Sequence, residues 1–133
     1  MKIFIAYRFT GEDPDQLRIL IHDIFSSLEK AGHKPFCTFW HGDFYKNNKF
    51  TKRQILEHGL NELDNSDVYL AFIKSEEKSE GMLLEAGYAI AKGKKFYLAI
   101  KKGINTVFLH EMADKLIEFE TFDELRQELS HLK

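Results

Sequence analysis

Short apolar runs alternate along the chain with longer segments in which apolar residues recur every three or four positions. The apolar runs have the length of strands and lie at residues 2–7, 33–40, 68–73, 95–100 and 116–119. Strands and helices that alternate at this spacing imply a parallel sheet with right-handed crossovers and with helices on both faces. We therefore predict an α/β fold: a five-stranded parallel, doubly wound sheet of the flavodoxin-like type, with strand order 2-1-3-4-5, in a three-layer sandwich.

Residues with special backbone preferences mark the ends of several elements. Asp13 suits an N-cap, Pro14 suits the first helical position, and Gly32 lies just past the last apolar residue of the first helix. Pro35 lies near the beginning of the second strand, and because proline cannot donate to a ladder it favours an edge position. Thr121 and the three residues after it have the form of a capping box, which predicts a terminal helix.

The remaining helices are predicted at residues 50–63, 79–93 and 106–114. Residues 40–49 are predicted to be a loop rich in aromatic and polar side chains. Such side chains either stack on and hydrogen-bond to a planar base or pack as a satellite cluster on the body of the domain, and the sequence leaves both readings open.

Length and composition fit one compact domain, residues 1–133. The chain has 133 residues, of which 44% are hydrophobic, which is enough for one core and too short for two domains. A formal net charge of −2 provides no basic surface that could neutralise a phosphate backbone, so we expect no nucleic acid polymer as a partner. A small nucleotide needs only a few donors and stays compatible with this charge.

The cysteine and histidine residues indicate the cellular compartment and whether a metal is bound. Cys37 is the single cysteine and cannot form an internal disulfide, and the first residues run into a strand without the apolar core of a signal peptide. No apolar run approaches the ~20 residues of a spanning helix, so we expect a cytoplasmic protein with no membrane contact. The six histidines are scattered without ligand spacing, and we expect no metal and no cofactor.

The buried run at residues 68–73 and the helix after it form the centre of the chain. The helix opens with Ser79-x-Gly81, and the loop before it lies at the carboxyl end of a strand, where open α/β sheets bind ligands. Glu85 follows about one turn into this helix, among apolar neighbours that would bury a carboxylate. An ionised group there costs several kcal/mol unless it is paired or functional. Glu85 is therefore either an exposed helical glutamate or a site residue, and the small Ala86 and Gly87 beside it favour a site.

Three blocks of sequence resemble the nucleoside 2-deoxyribosyltransferase family, including its relatives that hydrolyse deoxynucleoside 5'-monophosphates. The blocks are KIFIAYR at residues 2–8, NSDVYLA at residues 65–71, and the pattern SxGxxxExGYAxAxGK at residues 79–94. The resemblance implies cleavage or transfer at the N-glycosidic bond of a small-molecule nucleoside or nucleotide. It also implies a homo-oligomer, a dimer or larger, in which neighbours complete sites.

The same resemblance implies roles for individual residues. Glu85 matches the nucleophile that forms a covalent glycosyl intermediate. Tyr7 could hydrogen-bond that carboxylate, although a plain core tyrosine is an open alternative, and Asp67 is either a strand-start turn residue or a catalytic partner. The residues that the resemblance places against the substrate are Arg8, Thr10, Gly11, Ser79, Gly81 and Met82. In the phosphohydrolase branch Ser79 and the Gly81 amide hold a 5'-phosphate; the alternative for Ser79 is an ordinary N-cap.

Gly59 departs from the family. By the family's spacing this position usually carries an aspartate that assists proton delivery to the leaving base, and a glycine can do no such chemistry. We therefore expect a slow enzyme, and the sequence alone predicts that Gly59→Asp raises its rate. His58 and Asn61 are candidate substitutes, but they leave the helix in other directions.

Two other functions fit much of the same sequence. Toll/interleukin receptor domains also have a similar first strand and a glutamate six residues after a serine, as Ser79 and Glu85 are here. Some of them cleave the nicotinamide bond of NAD, and others serve only as interaction modules. A catalytically weak nucleotide-binding protein is the non-enzymatic alternative, because flavodoxin-like sheets host many functions.

Overall fold

The computed structural model describes residues 1–133 and contains one five-stranded sheet. Its strands are β1 (Lys2–Ala6), β2 (Lys34–Phe36), β3 (Val68–Ile73), β4 (Lys95–Lys101) and β5 (Lys115–Phe119). Neighbouring strands pair in parallel in the order β2-β1-β3-β4-β5. The predicted fold class, strand order and edge position of β2 are confirmed.

Helices cover both faces of this sheet. They are α1 (Pro14–Lys30), α2 (Gly42–Asn47), α3 (Lys52–Asp64), α4 (Glu80–Ala91), α5 (Leu109–Met112) and α6 (Phe122–Ser130). The predicted N-cap of α1 is present, since an Asp13 carboxylate oxygen accepts from the Asp15 amide at 2.9 Å. Gly32 has φ +86°, a left-handed conformation that favours glycine, and it lets the chain turn back toward β2.

Alternate residues of the central strands enter two separate hydrophobic cores. Ile3 and Ile5 of β1 pack on the face covered by α1 and α6, in a core of 18 buried residues. Phe4 and Ala6 point to the opposite face, in a core of 12 buried residues that includes Leu63 of α3 and side chains of α4. Because β1 and β3 are buried on both faces, their sequences are continuous apolar runs without polar alternation.

The segment after β2 differs from the prediction. The second strand was expected over residues 33–40, but its pairing with β1 ends at Phe4 and Phe36, and a 3-10 helix (Thr38–His41) follows. Residues 40–49, expected to be a loop, continue into α2, whose Tyr45 is buried with 6% of its surface exposed. An edge strand has hydrogen-bond partners on one side only, so local contacts can end it early.

Two helices also differ in detail from the prediction. The α3 helix begins at Lys52 with a capping box in which Thr51 and Gln54 exchange side-chain and backbone hydrogen bonds. The helix expected over residues 106–114 is a single turn, Leu109–Met112. None of the helices combines the length and the apolar character that crossing a bilayer needs.

Candidate active site

Four elements distant in sequence converge on Glu85. Tyr7 follows β1, Thr38 begins the 3-10 helix after β2, Gly59 lies on α3 and Glu85 lies in the second turn of α4. A Cβ atom added to Gly59 would lie 3.1 Å from Glu85 Oε2 and 3.7 Å from the Thr38 methyl group. The missing side chain at Gly59 therefore leaves Glu85 just enough room between α3 and α4.

A buried tyrosine from the strand beneath α4 is the hydroxyl donor next to Glu85. The Tyr69 hydroxyl donates to the Met82 carbonyl oxygen at 2.8 Å, and it lies 3.5 Å from Glu85 Oε1. The first distance is that of a good hydrogen bond, whereas the second is at the outer limit. Tyr69 is thus anchored by the α4 backbone and gives the carboxylate only weak support.

The Glu85 carboxyl group is poorly solvated. Burial raises its pKa from the ordinary 4.5 to about 7, and the Tyr69 hydroxyl opposes this rise. Burial penalises the ionised form, and no cation lies within salt-bridge distance of this carboxylate to offset the penalty. A carboxylate kept in such a place at a cost to stability is typical of a functional residue.

Tyr7 lies near Glu85 but does not hydrogen-bond it, contrary to the suggested role. The Tyr7 ring is half-buried and packs edge-on against Phe39, with ring centroids 5.7 Å apart. Burial raises the pKa of Tyr7 well above its usual range, and the nearby Glu85 carboxylate adds to this effect. Tyr7 is therefore a neutral phenol at the edge of the site, and Tyr69 occupies the place that was expected for it.

The amino end of α4 is capped as the ordinary N-cap alternative predicts. Ser79 Oγ accepts from the Met82 amide at 3.3 Å, and Met82 itself is buried with 2% exposed. The Gly81 amide lies in the first turn, where backbone N–H groups have no helical acceptor. Glu80 is the first residue of α4 and is exposed to solvent.

Arg8 lies next to this helix end and is held by two carboxylates. Its guanidinium pairs with Glu12 at 3.3 Å and with Glu77, and Lys74 pairs with the other Glu12 oxygen at 2.8 Å. The Glu77 side chain is 70% exposed, whereas that of Glu12 is 12% exposed. An incoming anion could therefore displace Glu77 more easily than Glu12.

The two other residues predicted in the first loop have different positions. Thr10 is exposed and has no side-chain hydrogen bond in the structure. Gly11 has φ +81°, and a Cβ atom there would lie 2.7 Å from an Arg8 guanidinium nitrogen. Gly11 therefore permits both the turn and the position of Arg8.

The structure does not bring Asp67 to the site. Asp67 lies directly before β3, at the amino ends of the strands, where its carboxylate accepts from the Lys2 amide at 2.8 Å. Tyr7 and Thr38 follow the carboxyl ends of their strands. A residue that begins a strand lies at the opposite edge of a parallel sheet from residues that follow a strand. The position of Asp67 therefore fits the strand-start alternative and contradicts the suggested catalytic role.

A cluster of aromatic rings and histidines packs beside Gly59, and it includes side chains of residues 40–49, as the satellite-cluster alternative predicts. The Tyr45 hydroxyl lies 2.7 Å from His58 Nδ1, and His58 Nε2 lies 3.8 Å from Glu62 Oε1. Burial first, and then the Glu62 and Glu85 carboxylates, raise the pKa of Tyr45 to about 12. Other rings of the cluster belong to Phe36, His41, Phe44 and Phe50.

Comparisons with known proteins point to one family. A family model described as nucleoside 2-deoxyribosyltransferase matches residues 6–122. No curated protein sequence matches the chain. The structure holds no group of three or more His, Cys, Asp or Glu side chains arranged to bind a metal.

Solved structures share the fold at low sequence identity. A CMP N-glycosidase from Clostridium botulinum, BcmB, is 22% identical with a TM-score of 0.72, and the match covers 97% of each chain. A 2-deoxyribosyltransferase from Bacillus psychrosaccharolyticus is 18% identical with a TM-score of 0.67, and the match covers 95% of this chain and 90% of that one. A 2-deoxyribosyltransferase from Leishmania mexicana is 17% identical with a TM-score of 0.67 over 99% of both chains.

Proposed function

This chain belongs to the nucleoside 2-deoxyribosyltransferase family, and from that premise we propose that it is an enzyme that cleaves the N-glycosidic bond of a nucleoside or a nucleoside 5'-monophosphate. The reaction passes through a covalent glycosyl ester on Glu85. Residues 1–133 act as one domain in this proposal. The observation that carries it is the Glu85 carboxylate, which is desolvated, without a cation, and left open only because residue 59 is glycine.

The chemistry of the bond explains why such a carboxylate is useful. Breaking the C1'–N bond develops positive charge on the sugar, and a carboxylate beneath C1' captures it by forming a C–O bond. Few hydrogen bonds hold the Glu85 oxygens, the nearest hydroxyl being 3.5 Å away, so the carboxylate keeps its nucleophilicity. Water or a second base then attacks C1' and regenerates Glu85.

Hydrogen-bond donors and one cation near the amino end of α4 suggest where a 5'-phosphate would bind. The Ser79 hydroxyl, the Gly81 amide and Arg8 lie at or near the amino end of this helix, and helix amino ends favour anions. Glu77 is the exposed one of the two carboxylates that pair with Arg8, and a phosphate would take its place. We therefore place the sugar over Glu85 and its 5' substituent toward Ser79.

The test is release of free base from a panel of substrates. Wild type and Glu85→Gln are incubated with deoxynucleosides, ribonucleosides, their 5'-monophosphates and NAD, and the products are separated by chromatography. We expect wild type to release a nucleobase and Glu85→Gln, with thermal unfolding showing that it is folded, to release none. Release of nicotinamide from NAD alone would favour the Toll/interleukin-like alternative, and equal rates for the two proteins would overturn the role of Glu85.

A further inference from the structure

A continuous chain of polar contacts runs from Glu62 through His58 to Tyr45. The two hydrogen-bonding nitrogens of His58 face different partners, the Tyr45 hydroxyl at 2.7 Å and the Glu62 carboxylate at 3.8 Å. The His58 side chain is 27% exposed, whereas Tyr45 is buried. His58 is therefore accessible to solvent protons, whereas Tyr45 lies inside the protein.

These polar contacts lie next to Gly59, the residue that lacks a side chain. His58 precedes Gly59 in α3, and a Cβ atom at Gly59 would lie 3.1 Å from Glu85 Oε2. The Tyr45 hydroxyl, which contacts His58 Nδ1, is thus held next to the turn of α3 that contains Gly59.

A neighbouring histidine gives an independent sign that a polar ligand reaches the cluster. His41 Nδ1 is buried and has no hydrogen-bond partner. The His41 ring centroid lies 5.6 Å from that of His58 and 6.2 Å from that of Tyr45. Buried polar atoms without partners are rare in proteins, and a polar ligand that donates to or accepts from this nitrogen would complete its hydrogen bond.

We propose that Tyr45 donates the proton to the leaving base and that His58, which acts through Tyr45, resupplies that proton. The inference rests on the proposed function, since it requires a departing base. It assigns to Tyr45 the acid role for which Gly59 has no side chain.

A Glu85 oxygen forms a bond to C1', the C1'–N bond breaks, and its electron pair passes to the base nitrogen, which takes the proton of the Tyr45 hydroxyl. His58, in its imidazolium form, donates from Nδ1 to the Tyr45 oxygen and transfers that proton as the phenol loses its own. Neutral His58 then recovers a proton from solvent.

Several charged and titratable groups face His58 and bear on its protonation. Glu62 lies on the same helix, and Lys2 of β1 pairs with the other Glu62 oxygen at 3.8 Å. His41 and Tyr45 face it from the segment after β2. Because the proposed proton transfer passes through His58, replacing this residue should change the shape of the pH profile of the rate.

The experiment compares leaving groups that need a proton with one that does not. Wild type and Tyr45→Phe are assayed on the best natural nucleoside or nucleotide and on the 4-nitrophenyl glycoside of the same sugar, whose nitrophenolate departs unprotonated. We expect Tyr45→Phe to lose roughly 10²-fold or more in kcat on the natural substrate and to cleave the nitrophenyl glycoside like wild type. Equal losses on both substrates, or no loss on either, would overturn the proposal.

A second variant and a control separate this role from folding. His58→Asn keeps an N–H donor near the Tyr45 oxygen but has no transferable proton, so its rate should be slower and its pH profile should differ in shape from that of wild type. If the two pH profiles have the same shape, His58 does not resupply the proton. Tyr88→Phe, which loses a 2.6 Å hydrogen bond to Asp64 outside the cluster, should keep the wild-type kcat.

Failure of the proposed function has a different signature. In that case wild type itself releases neither base nor nitrophenolate. A wild type that releases base, together with an equally active Tyr45→Phe, rejects only the role of Tyr45.

Discussion

Replacing Glu85 by glutamine should stabilise the protein at alkaline pH and have little effect near pH 4.5. The wild-type carboxyl group has a pKa of about 7 in the folded state against an ordinary value of 4.5. Between these values the folded state binds the proton more tightly than the unfolded state does, so wild-type stability falls as pH rises through this window. Glutamine has nearly the same shape and carries no charge at any of these pH values.

The size of the effect follows from the two pKa values. A pKa of about 7 in place of 4.5 corresponds to about 3 kcal/mol of unfolding free energy, which the ionised carboxylate costs above the folded pKa. Near pH 4.5 most of this cost is absent, because the folded protein keeps its proton. The free-energy difference between Glu85→Gln and wild type should therefore widen by about 2 to 3 kcal/mol between pH 4.5 and pH 8.

Urea unfolding followed by circular dichroism measures this directly. Both proteins are unfolded at pH 4.5, 6, 7 and 8, and the free energies are compared at each pH. Glu128→Gln, a change in an exposed glutamate on α6, serves as a matched control and should show no such widening. A pH-independent difference between Glu85→Gln and wild type would refute the claim that this carboxylate is desolvated.

Two further predictions concern residues around the carboxylate. Gly59→Ala should slow base release, because its Cβ atom would lie 3.1 Å from Glu85 Oε2. Gly59→Asp should slow base release more. It should also move the acidic limb of the pH–rate profile to higher pH, since a second carboxylate raises the pKa of Glu85. This reverses the expectation from sequence alone, and a faster Gly59→Asp enzyme would show that Glu85 has room to move. Ser79→Ala should weaken monophosphate binding, measured by calorimetry, by about 1–2 kcal/mol while leaving nucleoside binding unchanged; equal losses for both ligands would remove Ser79 from a phosphate site.

The fold could be predicted because its signals are local. The continuous apolar run at Val68–Ile73 and the periodic segment of α1 each specify their own element, and parallel βα units allow few arrangements. The segment after Phe36 could not be predicted in the same way. Its 3-10 helix and α2 are held by rings from other elements, such as Phe50 and His58 against Tyr45, and sequence periodicity carries no record of those contacts.

The site was predictable only where a motif marks it. Glu85 stands in a short pattern with small neighbours, and it is the residue around which the elements converge. Tyr69 looks like an ordinary strand residue, and only packing against α4 brings its hydroxyl to Glu85. Asp67 and Tyr69 are two positions apart in sequence, yet Asp67 binds the Lys2 backbone at the far edge of the sheet while Tyr69 reaches the site.

Trapping the glycosyl ester on Glu85 tests the central claim most directly. A nucleoside or nucleotide whose sugar carries fluorine at C2' forms the ester but loses it slowly, because fluorine opposes the positive charge that develops when water attacks. After incubation, intact-protein and peptide mass spectrometry should show one sugar added to wild type, on the peptide that contains Glu85, with one equivalent of base released and no addition to Glu85→Gln. Release of base with the sugar attached to another residue, or an equal adduct on Glu85→Gln, would contradict the account.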